Sequence, residues 1–250
     1  MILGKKVAVV MPAYNAARTL RRTYEEVVAT GIADEIIVVD DASGDETTAV
    51  ARALPGVRLE VHPRNRGYGA NQKTCYHLAH GTGADIVVMI HPDYQYTPLL
   101  MPAMVSLIAS GLYPCVLGSR ILGGGALAGG MPLWRYISNR LLTFFGNLMT
   151  GAKLSEYHTG YRAYARGLLE KLPLEASSDD FFFDNQVLLQ ILWLKQPIAE
   201  VTCPTRYFPE ASSINFRRSL KYGTQCVLAA CRYRLARWGL IAPPSWFPEI

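Results

Sequence analysis

Apolar and polar positions in the first half of the chain follow two alternating rhythms. Short runs rich in β-branched residues, Val7–Met11, Glu35–Val39, Arg58–Val61, Ile86–Ile90 and Cys115–Leu117, read as strands. Between them, Ala16–Thr30, Glu46–Leu54, Tyr68–His80 and Leu99–Ser110 repeat apolar residues at the three- and four-residue spacing of helices packed on a sheet. The order βαβαβαβα predicts an α/β protein with a doubly wound, mostly parallel sheet. Ligands of such sheets gather beyond the carboxyl ends of the strands. Polar groups recur there: Pro12-Ala13-Tyr14-Asn15, Asp40-Asp41-Ala42-Ser43, His91-Pro92-Asp93-Tyr94-Gln95 and Gly118-Ser119-Arg120.

The glycine-rich run 123–130 is a natural boundary. Beyond it the pattern predicts a helix near Pro132–Met149, a polar turn at Ser155–Thr159, a helix near Phe183–Leu194, a strand near Ile198–Cys203 and a basic C-terminal helix. Trp134, Ile137, Leu141, Phe145 and Leu148 fall on one stripe of the first of these helices. Such a stripe ordinarily serves core or dimer packing; its alternative is a place in a membrane interface.

Composition narrows the classes. Of 250 residues, 50% are hydrophobic and 18% charged, which excludes a disordered chain and a small stapled scaffold. Five cysteines without a C-x-x-C pair fit a reducing compartment, and the N-terminal residues lack the cleavage pattern of a signal peptide, so a cytoplasmic place is expected. The longest uncharged stretch, Tyr94 to Ser119, is broken by three prolines, so no membrane span is expected. The net charge of +5 is concentrated late: Arg206 to Arg237 holds seven basic residues and one acid, Glu210. No nucleic-acid-binding module accompanies it.

Neither G-x-G-x-x-G after the first strand nor a Walker-type loop occurs, which disfavours dinucleotide and P-loop chemistry. Asp40 and Asp41 stand where a carboxylate can accept an N–H of a base or a ribose hydroxyl; since Ser43 and Asp45 are better helix caps, at least one of the pair is left for ligand. Asp93, past a buried-looking run, could hold Mg²⁺ or Mn²⁺ against a diphosphate, with Gln95 orienting the same group.

Five motifs in order, Val9 to Asn15, Val38 to Asp45, Asn65 to Ala70, His91 to Gln95 and Gly118 to Arg120, resemble the inverting family 2 glycosyltransferases of GT-A fold, most closely the polyprenol (dolichol) phosphate sugar transferases. The resemblance implies a nucleotide-sugar-binding half over 1–122, an acceptor-side half over 123–214 and a basic helical segment over 215–250. A UDP- or GDP-sugar donor would lie on Pro12, Tyr14, Asp40 and Asp41, with Asp93 as the last acid of the metal motif and Gln95 behind it. Arg120, Arg140, Arg206 and the turn at Ser212 would meet donor or acceptor phosphate. The acceptor would be a polyprenyl phosphate at the inner face of a membrane, or a saccharide, with peripheral membrane contact and a homo-oligomer as further expectations.

Three positions depart from the family pattern. His91 replaces the first acid of D-x-D, so the metal pair is His91 and Asp93, and imidazole suits Mn²⁺ better than Mg²⁺. Ala16 stands where lipid-phosphate transferases often carry Glu, and His158 replaces an aspartate. A lipid phosphate is already anionic and needs no general base, whereas a sugar hydroxyl does. Asp179, Asp180 and Asp184 are the candidate bases; Asp184 could equally serve as the N-terminal acid of its helix.

Overall fold

The computed structural model describes residues 2–204, 207 and 216–249, apart from the side chains of Phe216 and Arg217. Seven strands form one sheet in the order β3-β2-β1-β4-β6-β5-β7. These are β1 (Val7–Ala13), β2 (Glu35–Asp40), β3 (Val57–Val61), β4 (Ile86–Met89), β5 (Cys115–Ser119), β6 (Arg162–Ala165) and β7 (Ile198–Thr202). The helices are α1 (Leu20–Ala29), α2 (Thr47–Arg52), α3 (Tyr68–Gly81), α4 (Met101–Ala109), α5 (Leu133–Thr150), α6 (Arg166–Leu169), α7 (Phe183–Trp193) and α8 (Phe216–Arg237).

The predicted mostly parallel sheet is present, with β6 as its antiparallel member between β4 and β5. The sequence pattern does not reveal β6, a strand of four residues that opens on a charged one, Arg162. Inside the sheet that arginine is fully buried and spends its guanidinium on carbonyl oxygens of Thr159, Tyr157 and Asp184. β1 is central, and its successive side chains point to opposite faces. Val7, Val9 and Met11 enter the core layer that meets α1 and α4, while Ala8 and Val10 enter the one under α3 and α7.

The first helix begins at Leu20, later than its apolar spacing suggests. Backbone N–H groups that an earlier start would place in its first turn are used elsewhere: Ala16 donates to Thr47 Oγ1 (2.7 Å) and Ala17 to Asp45 Oδ2 (3.2 Å). The segment after β1 is thereby tied to the segment after β2, and both face the cleft.

α5 reverses the usual helical amphipathicity. Its buried residues are Asn139, Thr143 and Gly146, whereas Trp134, Ile137, Leu141, Phe144 and Leu148 are exposed. The expected stripe exists, with Phe144 in place of Phe145, and it faces outward. Inward polar groups are satisfied: Asn139 donates to Glu156 and Asn147 to the Leu154 carbonyl, each at 2.8 Å. Among the described residues, no helix is long and apolar enough to cross a membrane.

Candidate active site

A cleft at the carboxyl ends of the parallel strands has two chambers, of about 950 Å³ and about 240 Å³. Tyr68, His91, Asp93, Phe181 and Tyr222 border both and form the partition between them.

The larger chamber is made by three turns of one design. After β1, β2 and β4 the chain passes through a left-handed residue: Asn15 (φ 51°), Ala42 (φ 57°) and Tyr94 (φ 60°). Asn tolerates this region, while other L-residues lose roughly 1–2 kcal/mol there. The residue immediately before each, Tyr14, Asp41 or Asp93, lines the chamber. Three strand ends thus deliver three side chains into one space. Pro12 lines it too, buried at the end of β1.

The two aspartates after β2 have different fates. Asp40 is fully buried, lies outside the chamber, and accepts hydrogen bonds from the Ser43 and Thr48 hydroxyls and the Ser43 N–H. It builds the turn, and of the expected pair Asp40 and Asp41 only Asp41 lines the chamber. Asp41 borders the chamber and accepts from the Arg66 and Gly67 N–H groups (2.8 and 2.9 Å) and from His62 (2.7 Å). It organises the loop into α3 while presenting an edge to the chamber. The start of α3 also needs Gly69: a β-carbon there would lie 2.3 Å from the Ser178 carbonyl oxygen, and the Gly69 N–H donates to the Asp179 carbonyl at 2.7 Å.

The smaller chamber rests on two buried ion pairs. Arg120 is bound by Glu156 through Nε at 2.8 Å and through Nη2, and donates also to the Tyr207 hydroxyl (3.0 Å) and the His158 carbonyl (2.8 Å). Burial works against both charges, but the pairing prevails, holding the guanidinium well above its ordinary range and the Glu156 carboxyl below its own. Asp184 lies on the chamber wall in the first turn of α7, with the fully buried Arg162 Nε 4.0 Å from its carboxylate. It accepts from Tyr68 (2.6 Å) and Gln72 (3.2 Å).

Tyr68 joins the chambers. Burial, with the Asp184 carboxylate beside it, pushes its hydroxyl well above the usual phenol range, so it stays protonated and donates to Asp184. His91 Nε2 lies 2.9 Å from the same oxygen. With the phenol's single proton given to Asp184, this second contact is a hydrogen bond in the tautomer that carries its hydrogen on Nε2. In that tautomer Nε2 is engaged with Tyr68, and Nδ1 is the nitrogen of His91 left with a lone pair. His91 is also packed against Gly160, where a β-carbon would lie 2.8 Å from Nε2.

Among the described residues, no group of three or more His, Cys, Asp or Glu is placed to hold a metal ion. The donor set fits a different arrangement. Mg²⁺ and ions like it commonly use one or two protein carboxylates and take their remaining ligands from substrate phosphates and water. Asp93, on the partition, can supply that carboxylate; its Oδ1 also accepts the Gln95 N–H at 3.0 Å.

Other expected residues are distributed unevenly. Gln95 and Arg120 line the smaller chamber only. Arg140 lines neither; it is exposed, with Nη1 3.4 Å from the Ser155 carbonyl oxygen, and Arg135 borders the chamber instead. Arg206 and Ser212 lie outside the described residues. Asp179 is paired with Lys73 at 2.8 Å and Asp180 with Lys221 at 3.5 Å, both on the larger chamber. Glu156, Arg162 and the role of Tyr68 escaped the sequence reading; a charge inside an apolar run, as at Arg162, was the available signal.

A doubly wound sheet with a cleft at its strand ends is the architecture of the GT-A fold. The model described as Glycosyl transferase family 2 matches residues 8–173, and the chain belongs to that family and is a glycosyltransferase. It is 29% identical over 217 residues to a low-salt glycan biosynthesis hexosyltransferase of Haloferax volcanii, covering 85% of this chain and 50% of that protein. It is 25% identical to the UDP-N-acetylglucosamine–dolichyl-phosphate N-acetylglucosaminyltransferase of Methanococcus voltae, covering 81% of this chain and 86% of that one. The undecaprenyl-phosphate 4-deoxy-4-formamido-L-arabinose transferase of Sodalis glossinidius is 30% identical, over 67% of this chain and 51% of its own. The chain thus spans about half the length of the first and third relatives. In fold it is similar to the glucosyl-3-phosphoglycerate synthase of Mycobacterium tuberculosis solved with Mg²⁺ and UDP (TM-score 0.69, 23% identity, 97% of this chain and 82% of that one).

Proposed function

We propose that this chain moves a sugar from a nucleotide-diphosphate donor, a UDP- or GDP-sugar, to a polyprenyl phosphate, with inversion. The observation that carries this is the two-chambered cleft with Asp93 on its partition. The larger chamber has room for a nucleotide, with Tyr14 and Pro12 for the base and ribose and Asp41 at its edge. Arg218 and Lys221 on α8 also border it and supply positive charge for a diphosphate. An ion held between Asp93 and the diphosphate would neutralise charge on the leaving group.

The acceptor enters the smaller chamber, where Arg120, Arg135 and Trp134 stand. Attack from that side, opposite the departing diphosphate, is a single displacement and inverts the anomeric centre. A phosphate acceptor is already anionic, so holding it in line is the main task. The names of two relatives, acting on dolichyl and undecaprenyl phosphate, support this acceptor class. All five cysteines are free, which supports a place on the reducing, cytoplasmic side.

A second reading is favoured by the place of Asp184 on the acceptor wall, where it could take a proton from a saccharide hydroxyl. A thermal-shift screen of nucleotide sugars, with and without Mn²⁺, followed by transfer assays to polyprenyl phosphate, tests the first reading. Donor stabilisation and label in the lipid fraction are expected; no stabilisation by any donor would overturn it. Asp184→Asn separates the two: transfer to a lipid phosphate persists, whereas transfer to a hydroxyl is lost while donor binding remains.

A further inference from the structure

We propose that Lys73, a buried lysine behind the wall of the larger chamber, sets that chamber's affinity for a diphosphate. It orients the Asp179 carboxylate and offsets its charge, and so is a positioning residue for the donor, acting on it through Asp179. Lysine is rarely buried unless it is paired, yet Lys73, in the second turn of α3, is only 8% exposed. All its partners lie in one segment more than a hundred residues away: the Ser177 carbonyl at 2.6 Å, the Asp179 carboxylate at 2.8 Å and the Glu175 carbonyl at 3.4 Å. An ammonium has three donors and no acceptor, so this set uses its whole capacity.

The same segment is also fixed by neutral bonds from two helices. From α3, the Gly69 and Ala70 N–H groups donate to the Asp179 carbonyl at 2.7 and 3.3 Å. From α7, Gln186 accepts the Ser178 N–H at 2.7 Å and Gln190 donates to the Ser177 hydroxyl at 2.9 Å. These bonds locate the backbone. What Lys73 adds to them is a positive charge beside Asp179, whose carboxylate is 66% exposed on the chamber wall.

The charge balance of the chamber makes that addition consequential. Among the described residues, four aspartates line the larger chamber, against three basic residues, Arg66, Arg218 and Lys221. Asp180 has its counter-charge, Lys221, on the chamber itself at 3.5 Å. The counter-charge of Asp179 stands outside, since Lys73 does not line that space. A lysine within the chamber would be drawn to an entering phosphate and leave its carboxylate. One spent from behind on two carbonyls and a carboxylate stays in place. Without it, an unpaired carboxylate would face the diphosphate, and like charges repel with a strength that falls as salt rises.

The proposal rests on the reading of a nucleotide-diphosphate donor. Its test is calorimetric titration of UDP and GDP, with uridine and guanosine as their uncharged counterparts, into wild type, Lys73→Met and Lys73→Met/Asp179→Asn. At low salt the diphosphate should bind Lys73→Met about threefold to tenfold more weakly than wild type, with the loss shrinking at high salt. The nucleoside should bind all three proteins equally, and the double variant should regain most of the lost diphosphate affinity. Asp179→Asn, which keeps the buried lysine and an acceptor for it, supplies a second reading of opposite sign: it should bind the diphosphate more tightly than wild type. Undiminished diphosphate binding by Lys73→Met would overturn the proposal. So would a loss shared equally by the nucleoside, a double variant that recovers nothing, or weaker diphosphate binding by Asp179→Asn. A wild type that binds neither diphosphate would overturn the donor reading and this proposal with it, whereas wild-type binding that is indifferent to Lys73 and Asp179 overturns the proposal alone.

Discussion

The two chambers differ in how far along the chain their walls reach for support. The donor-side wall is shaped first by turns, in which Asp93 accepts from Gln95 two residues on and Asp40 from Ser43 three residues on, each turn passing through its own left-handed residue; Asp41 then ties one of them to the start of α3 through Arg66 and Gly67. The acceptor-side wall is assembled from distant partners, Arg120 with Glu156 across 36 positions and Tyr68 with Asp184 across 116. Local turns make a wall that survives loss of a ligand-facing side chain. Long-range buried pairs make one whose stability and geometry are the same property.

The strongest way to break this contrast is to strand a charge on the acceptor side. Glu156→Leu leaves the Arg120 guanidinium, only 11% exposed, without its carboxylate. A loss of about 3–5 kcal/mol is expected in urea unfolding, with much of it recovered in Arg120→Leu/Glu156→Leu. If the double variant is no more stable than the single one, the pair does not organise the wall.

On the donor side the balance reverses. Asp93→Asn keeps an acceptor for the Gln95 N–H, so stability should change by less than about 1 kcal/mol. Transfer should nonetheless fall on the order of a hundredfold, as when one transition-state charge partner is removed. Steady-state rates and urea midpoints on the same preparation decide whether activity and stability separate there.

A smaller effect sharpens the contrast through pH. Burial pushes His158, on the acceptor wall, from 6.5 down to about 4. As pH falls through that window, the unfolded chain takes up a proton that the folded chain refuses, so stability is full above about 6.5 and is lost toward 4. His158→Gln should flatten this dependence by on the order of 2 kcal/mol, read as urea midpoints across the window. An unchanged slope would mean that the ring titrates freely in the folded protein.

The smallest expected effect lies in a donor-side turn. Ala42→Gly relieves a left-handed alanine and should raise stability by up to about 1 kcal/mol in thermal unfolding, with donor binding intact. A loss of stability would mean that the turn is held by something other than backbone preference.

The contrast also explains what could be read in advance. The turns of the donor wall are legible because each strand and the turn after it are contiguous in sequence: Tyr14, Asp41 and Asp93 follow closely on apolar runs. Asp40 and Asp41 look alike in one dimension, and only folding separates the buried turn-builder from the residue that borders the chamber. The acceptor wall was largely hidden. Glu156 reads as part of a polar turn, Arg162 as a break in a run, and Tyr68 as one letter of a glycine-flanked motif.

Periodicity and punctuation along the chain were sufficient for the α/β order, the mostly parallel sheet, the strand-end placement of the donor side and the family resemblance, since these depend on neighbours within a few residues. Folding in three dimensions was needed to seat β6 antiparallel, to spend His91 Nε2 on Tyr68, and to pair Arg120 with Glu156. The outward turn of α5 was decided the same way. A stripe of apolar residues has the same spacing whether it meets protein or solvent, and the choice was made by Glu156 and Leu154, which offer hydrogen bonds to the opposite side of that helix.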